Sequence, residues 1–301
     1  MTVSTGRDRI GKALSPLLGL LLFLQAGIVV TGGVVRLTRS GLGCPTWPRC
    51  TKSSINPEPN QAEGQFHAWI EFGNRLITVA LVLVALVCLI AVLKLKRRDL
   101  RRFSVGQVIG IFAQIPLGGI TVLTHLNPFS VAAHFLLSII LIAGCTTLFD
   151  RRNGTRVHSE FLNRNLVTGL RALVVLTALV IVMGTGVTGS GPHAGDYSAP
   201  RFHVRIQTIT WIHASLVISV LALLVVLIKT SGNLPLLKRR LLVFLSLLLT
   251  QGLIGVIQYN QGFPEVLVGI HLLGVTLVWI SAWRINLLTF GSTSTGESEK
   301  K

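Results

Sequence analysis

The chain has 301 residues, half of them hydrophobic and only 13% charged, with a formal net charge of +17. Soluble domains carry about 25% charged residues, so a soluble globular enzyme and a disordered tail protein are both excluded. The positive charge would elsewhere point to nucleic acid, but here it is parcelled into alternate loops of an apolar chain, and a nucleic-acid binder is excluded as well.

Arg7, Arg9 and Lys12 precede an apolar run from Pro16 to Val35. That run is about 20 residues long, a membrane-span length and too long for a signal-peptide core; it predicts an uncleaved first span. The loop that follows, about residues 37–65, is rich in Gly and Pro and holds Cys44 and Cys50 with five residues between them. On an oxidising side of a membrane such a pair can close as a disulfide. The rival readings are a metal-binding or redox-active dithiol, the latter requiring an exposed, reducible bond.

Span two is opened by Phe66-His67-Ala68-Trp69-Ile70-Glu71 and continues through an apolar run from Val79 to Leu93. His67, Glu71 and Asn74 fall at i, i+4 and i+7, on one helix face, and Arg75 stands at i+4 from Glu71 as its ion-pair partner. The plain alternative is a polar cap at the membrane interface. Span three, from Ile109 to Leu123, contains Gln114 and Pro116; a tight turn at 125–128 leads to span four, Val131 to Phe149, with His134 near its start. Cys88 and Cys145 lie inside apolar runs and read as packing residues.

The second part repeats this order. Leu173 to Val187 forms span five, a long loop follows at about 190–202, and Phe202 to Gln207 opens span six, which carries His213 and the run Leu216 to Ile228. Span seven, Leu241 to Ile257, contains Gln251; a tight turn at 260–264 leads to span eight, Val266 to Ile280, with His271. In each half a histidine follows a glutamine by 20 residues, Gln114 to His134 and Gln251 to His271, at an offset of 137. A repeat of that kind predicts an all-α polytopic membrane protein of eight transmembrane helices in two pseudo-symmetric four-helix bundles, 1–150 and 151–290. The acidic, serine-rich stretch 291–301 reads as a disordered tail.

Of the 28 lysines and arginines, 21 lie at the N-terminus, between spans two and three, four and five, six and seven, and at the C-terminal end. Cytoplasmic loops are enriched in these residues, so both termini are expected in the cytoplasm, with membrane lipid, anionic lipid included, as a partner. The other face keeps Arg36, Arg39, Arg49, Lys52, Arg75, Arg201 and Arg205.

Ionisable groups inside a span mark function by default, and His134, His213 and His271 are such groups. His213 and His271 could face each other across one bundle, and two neutral imidazoles suit axial ligation of haem iron. A buried zinc would want four ligands, and no cysteine or carboxylate stands at that depth in the second half. In the first half His134 has no histidine opposite it; Asn74 takes the place corresponding to His213.

The run Gly32-Gly33-Val34-Val35-Arg36-Leu37-Thr38-Arg39-Ser40-Gly41-Leu42-Gly43-Cys44-Pro45, the segment Ile70 to Arg75 and the membrane histidines resemble haem A synthase. That resemblance implies a bacterial plasma-membrane enzyme that oxidises a methyl group of haem O by two hydroxylations, the geminal diol then losing water to give the formyl group of haem A. It implies a haem b cofactor between His213 and His271, substrate haem O at His134, an essential carboxylate at Glu71 and a disulfide between Cys44 and Cys50. Better-known members carry a histidine where this chain has Asn74, which leaves a five-coordinate His134 site, an Asn74 or water ligand, or His67 reaching in. Arg36, Arg39, Arg75 and Arg205 are placed to meet propionates or to snorkel at the interface. Trp47, Trp69 and Trp211 read as an aromatic belt. Haem O synthase and a second copy of the chain stand as protein partners to consider. The rival functions are a diheme b-type electron-transfer cytochrome and a secondary transporter. No span carries the two histidines about 13 residues apart expected of the first, and only Pro116 breaks a span as the second would require.

Overall fold

In the computed structural model, residues 6–153 and 162–290 are described. The expected tail at 291–301 lies outside the described residues, as do Arg156, Lys300, Lys301 and the side chain of Arg7. The described chain forms α1 (Gly6–Leu37), α2 (Gln65–Lys94), α3 (Arg98–Leu123), α4 (Pro128–Asp150), α5 (Arg164–Ser190), α6 (Ile206–Thr230), α7 (Pro235–Asn260) and α8 (Glu265–Leu288). All eight are long and apolar enough to cross a bilayer, whose hydrocarbon core about 20 helical residues span. The protein is an all-helical, multi-pass membrane protein.

Local chemistry sets several helix ends. Asn127 caps α4 by accepting the Phe129 N–H at 3.0 Å, with Pro128 in the first turn. Asn163 caps α5 by accepting the Leu166 N–H at 2.8 Å. Pro235 opens α7, where a missing N–H costs no helical bond. Several helices outrun their apolar runs, α3 starting at Arg98 and α5 at Arg164, and two further starts differ from expectation. α1 starts at Gly6, so Pro16 lies inside it. α6 starts at Ile206 rather than Phe202, because the Phe202 N–H donates to the Gly189 carbonyl at 3.0 Å and the Phe202 ring packs edge-on to Phe129 at 4.9 Å. Those contacts hold Phe202 in a returning loop.

Sequential helices pack as neighbours, and α1 also touches α4 while α5 touches α8. No Cα of α6 comes within 8 Å of α8, nor one of α2 within 8 Å of α4. In each set of four the diagonal helices are thus held apart by the two between them. The two sets meet where α8 packs on α1 and α4 and where α5 packs on α4. Across that seam the Trp279 indole donates to the Ile139 carbonyl at 2.7 Å and the Trp283 indole to Thr147 Oγ1 at 2.8 Å. At the basic face Asp150, its side chain 4% exposed, receives Arg284 at 3.0 Å and Arg240 at 3.2 Å. There too, Arg97 donates to the Arg151 and Arg152 carbonyls at 2.6 and 3.0 Å.

The two cores differ in polarity. Among α1–α4, Gln25 Nε2 donates to Gln107 Oε1 at 3.1 Å, Gln107 Nε2 donates to the Leu141 carbonyl at 2.8 Å, and Cys145 Sγ lies 3.1 Å from Gln107 Oε1. All three polar residues are at most 2% exposed. Interhelical bonds of this type contribute about 0.6–2 kcal/mol each in hydrocarbon. Cys88 and Cys145 are buried free thiols, in keeping with packing roles, and Cys145 also joins this polar layer.

Candidate functional site

The loop between α1 and α2 is closed by a disulfide joining Cys44 and Cys50. Both cysteines are 0% exposed, so the pair is neither an open dithiol nor a solvent-accessible bond. The loop sits against α2 and α3. Its Gly43 lies so close to the His67 carbonyl and the Ala68 amide that a Cβ would collide with backbone. The Trp47 ring occupies the space beside Gly119 of α3, so this tryptophan anchors the loop. Trp69 and Trp211 are 54% and 67% exposed.

Glu71 is buried at 6% exposure and both of its oxygens are engaged. Oε1 receives Arg75 Nη2 at 2.6 Å and Nε at 3.2 Å, the i+4 pair expected from spacing. Oε2 receives the backbone N–H of Cys44 at 2.8 Å. Arg75 reaches further. Nη2 donates to the Cys44 and Thr46 carbonyls at 3.2 Å each, and Nη1 to Pro48 at 3.5 Å and Arg49 at 3.3 Å. A buried carboxylate needs such charge-assisted donors. The expectation that Glu71, His67 and Asn74 share a helix face holds, but they do not share partners. His67 Nδ1 bonds Ser40 Oγ at 2.9 Å, and Asn74 Oδ1 accepts Thr31 Oγ1 at 2.7 Å.

Glu71, His134 and His271 each stand six residues inside the start of their helices, and His213 stands seven inside α6. At 1.5 Å per residue these depths are about 9 and 10.5 Å. His213 thus lies nearer the level of the others than a span opening at Phe202 implied. Each imidazole has a glycine beside it on a neighbouring helix. A Cβ at Gly118 would lie 3.3 Å from His134 Cε1, at Gly184 3.4 Å from His213 Cε1, and at Gly255 3.7 Å from His271 Cε1. His213 Nδ1 lies 3.0 Å from the Val180 carbonyl of α5. Since only a protonated nitrogen can donate there, the Nε2 lone pair is left free. The Nδ1 atoms of His134 and His271 are buried without a hydrogen-bond partner. Gln114 ties α3 to α4 beside His134, donating to the His134 carbonyl at 3.0 Å and to Ser138 Oγ at 2.7 Å.

The arginines behave differently from one another. Arg36 donates through Nε to the His193 carbonyl and through Nη2 to the Thr188 carbonyl at 2.6 Å. Arg39 lies 4.1 Å over the Tyr197 ring. Arg205, exposed, precedes the first turn of α6. Arg201, named from sequence only as an outer-face cation, donates to the Gly191 and Pro192 carbonyls. His193 also escaped the sequence reading; its Nε2 lies 2.6 Å from the Phe263 carbonyl, which joins the α5–α6 and α7–α8 loops. The Ser40, Thr31, Ser138 and Val180 contacts had no signal in spacing, since each partner is supplied by a different helix or loop.

The donor set fits a porphyrin. His213 presents a free Nε2 lone pair from α6, its ring held by the Val180 carbonyl. His271 stands on α8, diagonal to α6, with its Nδ1 buried and unpartnered, and glycines keep bulk away from both rings. In α1–α4 the same arrangement recurs with His134 alone, because the amide oxygen of Asn74 is taken by Thr31.

Similarity to known proteins runs along the same lines. The heme A synthases of Geobacillus kaustophilus, Exiguobacterium sibiricum and Shewanella oneidensis are 31%, 30% and 31% identical over 116, 179 and 197 residues. The matches cover 38%, 56% and 61% of this chain. This chain spans 35% of the length of the Geobacillus relative and 57% of each of the other two. A family model described as cytochrome oxidase assembly protein matches residues 16–283, from α1 to the last turns of α8. The chain belongs to the COX15-CtaA family of cytochrome oxidase assembly proteins.

Proposed function

We propose that the chain is a haem A synthase, oxidising the methyl group of haem O to the formyl group of haem A. The observation that carries the reading is the pair His213 and His271, at nearly equal depth on diagonal helices, with His213 Nδ1 held at the Val180 carbonyl. In this reading residues 151–290 hold haem b between the two histidines, and residues 1–150 receive haem O at His134. The neighbour pattern supports that division, because exchanging α1–α4 with α5–α8 carries the α1·α8 contact onto α5·α4 and returns α4·α8 to itself. The basic loops then face the cytoplasm with both termini, and the disulfide loop faces outward, where oxidation is favoured.

Haem b, when bound, supplies one-electron exchange. The protein's own residues do the rest. His134 holds the substrate iron from one side, and the engaged amide oxygen of Asn74 favours a five-coordinate site over a ligand from α2. His67, tied to Ser40 at 2.9 Å, serves the loop in preference to the iron. Glu71 stands at the depth of His134; its carboxylate stabilises positive charge developing at the methyl carbon and accepts a proton from the attacking water. Arg39 and Arg205 remain available to carboxylates at the outer end, whereas Arg36 is largely committed to the α5–α6 loop.

Pigment extraction after co-expression with a haem O source tests the reading. Haem A should be recovered, and His213→Ala or His271→Ala should remove the low-spin haem b spectrum. Recovery of haem b alone, with haem O unchanged, would favour the diheme cytochrome; colourless protein would favour a transporter.

A further inference from the structure

We infer that the disulfide-closed loop is a positioning arm for Glu71, acting through the Cys44 amide and the Arg75 guanidinium. The inference rests on the reading of Glu71 as the acting carboxylate and assigns the groups that aim it. The carboxylate is fixed from two sides. Oε1 is held by Arg75 at 2.6 and 3.2 Å, and Oε2 by the Cys44 N–H at 2.8 Å. One of those holders belongs to α2 itself, while the other belongs to the loop.

Arg75 joins them. Besides Glu71 it binds the carbonyls of Cys44, Thr46, Pro48 and Arg49, all within the ring that Cys44 and Cys50 close. A planar guanidinium can serve a carboxylate and several carbonyls at once, which a lysine ammonium cannot do with the same geometry. The loop is anchored independently of this cation. Gly43 lies on the first turn of α2, Trp47 beside Gly119 of α3, and buried Ser40 bonds His67. With the ring closed, the Cys44 amide is therefore a fixed point referred to α2 and α3 together. With the ring open, Glu71 would keep only a neighbour on its own helix, and the two long side chains could move together. The disulfide thus acts on the site mechanically.

The test is isotope-edited infrared spectroscopy of the full-length protein carrying 13C-labelled glutamate, with Glu71→Gln subtracted to isolate the Glu71 carboxylate band. In Cys44→Ser/Cys50→Ser the band should shift and broaden while the haem b spectrum stays unchanged. Haem O conversion should fall roughly 10- to 100-fold, the scale of a displacement of about 1 Å. Arg75→Lys should keep a cation beside Glu71 yet release the loop, seen as a band shift with faster tryptic cleavage after Arg49 and Lys52. An unshifted Glu71 band in a disulfide-free protein that retains haem b overturns the inference. If the double variant does not accumulate, an unshifted band in Arg75→Lys overturns it. Failure of the wild type to make haem A, together with the band shift in the double variant, would refute the proposed function and leave the positioning intact.

Discussion

Glu71 and Asn74 differ in how their buried polar atoms are satisfied, and that difference decides what each substitution does. Glu71→Gln keeps the volume and one acceptor but loses the charge that Arg75 and the Cys44 amide serve. Haem b should remain bound in this variant while haem A formation stops, as read by separation of extracted haems; normal conversion would remove Glu71 from the chemistry. Asn74 is occupied by Thr31 at 2.7 Å and offers no strong ligand. Asn74→His should supply an imidazole opposite His134, so that the haem O-loaded protein gains a second low-spin signature in its absorption spectrum. An unchanged spectrum would place residue 74 away from the substrate iron. At this scale the sequence was informative about residue type and depth, because a carboxylate or imidazole in an apolar run is conspicuous. It was silent on partners. Nothing in the spacing of Arg75 indicates that it gathers four carbonyls from an irregular loop, since that follows from the path of the loop alone.

The helices themselves were legible because hydrocarbon demands about 20 apolar residues with every backbone group bonded internally. The turns at 125–128 and 260–264 emerged almost to the residue, since α3 ends at Leu123 and α4 begins at Pro128, while α7 ends at Asn260 and α8 begins at Glu265. The starts of α1 and α6 were less legible, because helical hydrogen bonding continues or stops on local partners and not on apolarity. Contacts between elements left only faint traces, chiefly glycines. Gly33 of α1 is buried, and a Cβ there would overlap Leu272 of α8, the residue after His271. Gly33→Leu should therefore push α1 from α8 at a cost of about 1–3 kcal/mol. It should also perturb the haem b absorption band, whereas Gly27→Leu, at a position where a Cβ meets nothing within 4 Å, should leave that band unchanged. Equal spectra for the two variants would uncouple the α1–α8 contact from the His271 site.

Across the whole molecule, the two sets of helices are joined by packing and by a few specific polar bonds. Asp150, shared between Arg240 and Arg284 at 3.2 and 3.0 Å, ties the end of α4 to α7 and α8. Asp150→Asn should lower the unfolding midpoint in detergent, at a cost of about 1–3 kcal/mol, with no effect on haem content; an unaltered midpoint would show the pairing to be energetically neutral. The duplication read from glutamine and histidine spacing also hides an imbalance. At the offset of 137 residues, Gln107 stands against Phe244 and Cys145 against Ala282, and both of those second-half residues are 0% exposed. At that layer one copy is fastened by amides and the other by side-chain packing. Cosolvents that compete for amide hydrogen bonds should act on that layer, so the copy bearing the disulfide should soften first. Its greasy twin would then still grip a pigment, and colour would outlast catalysis.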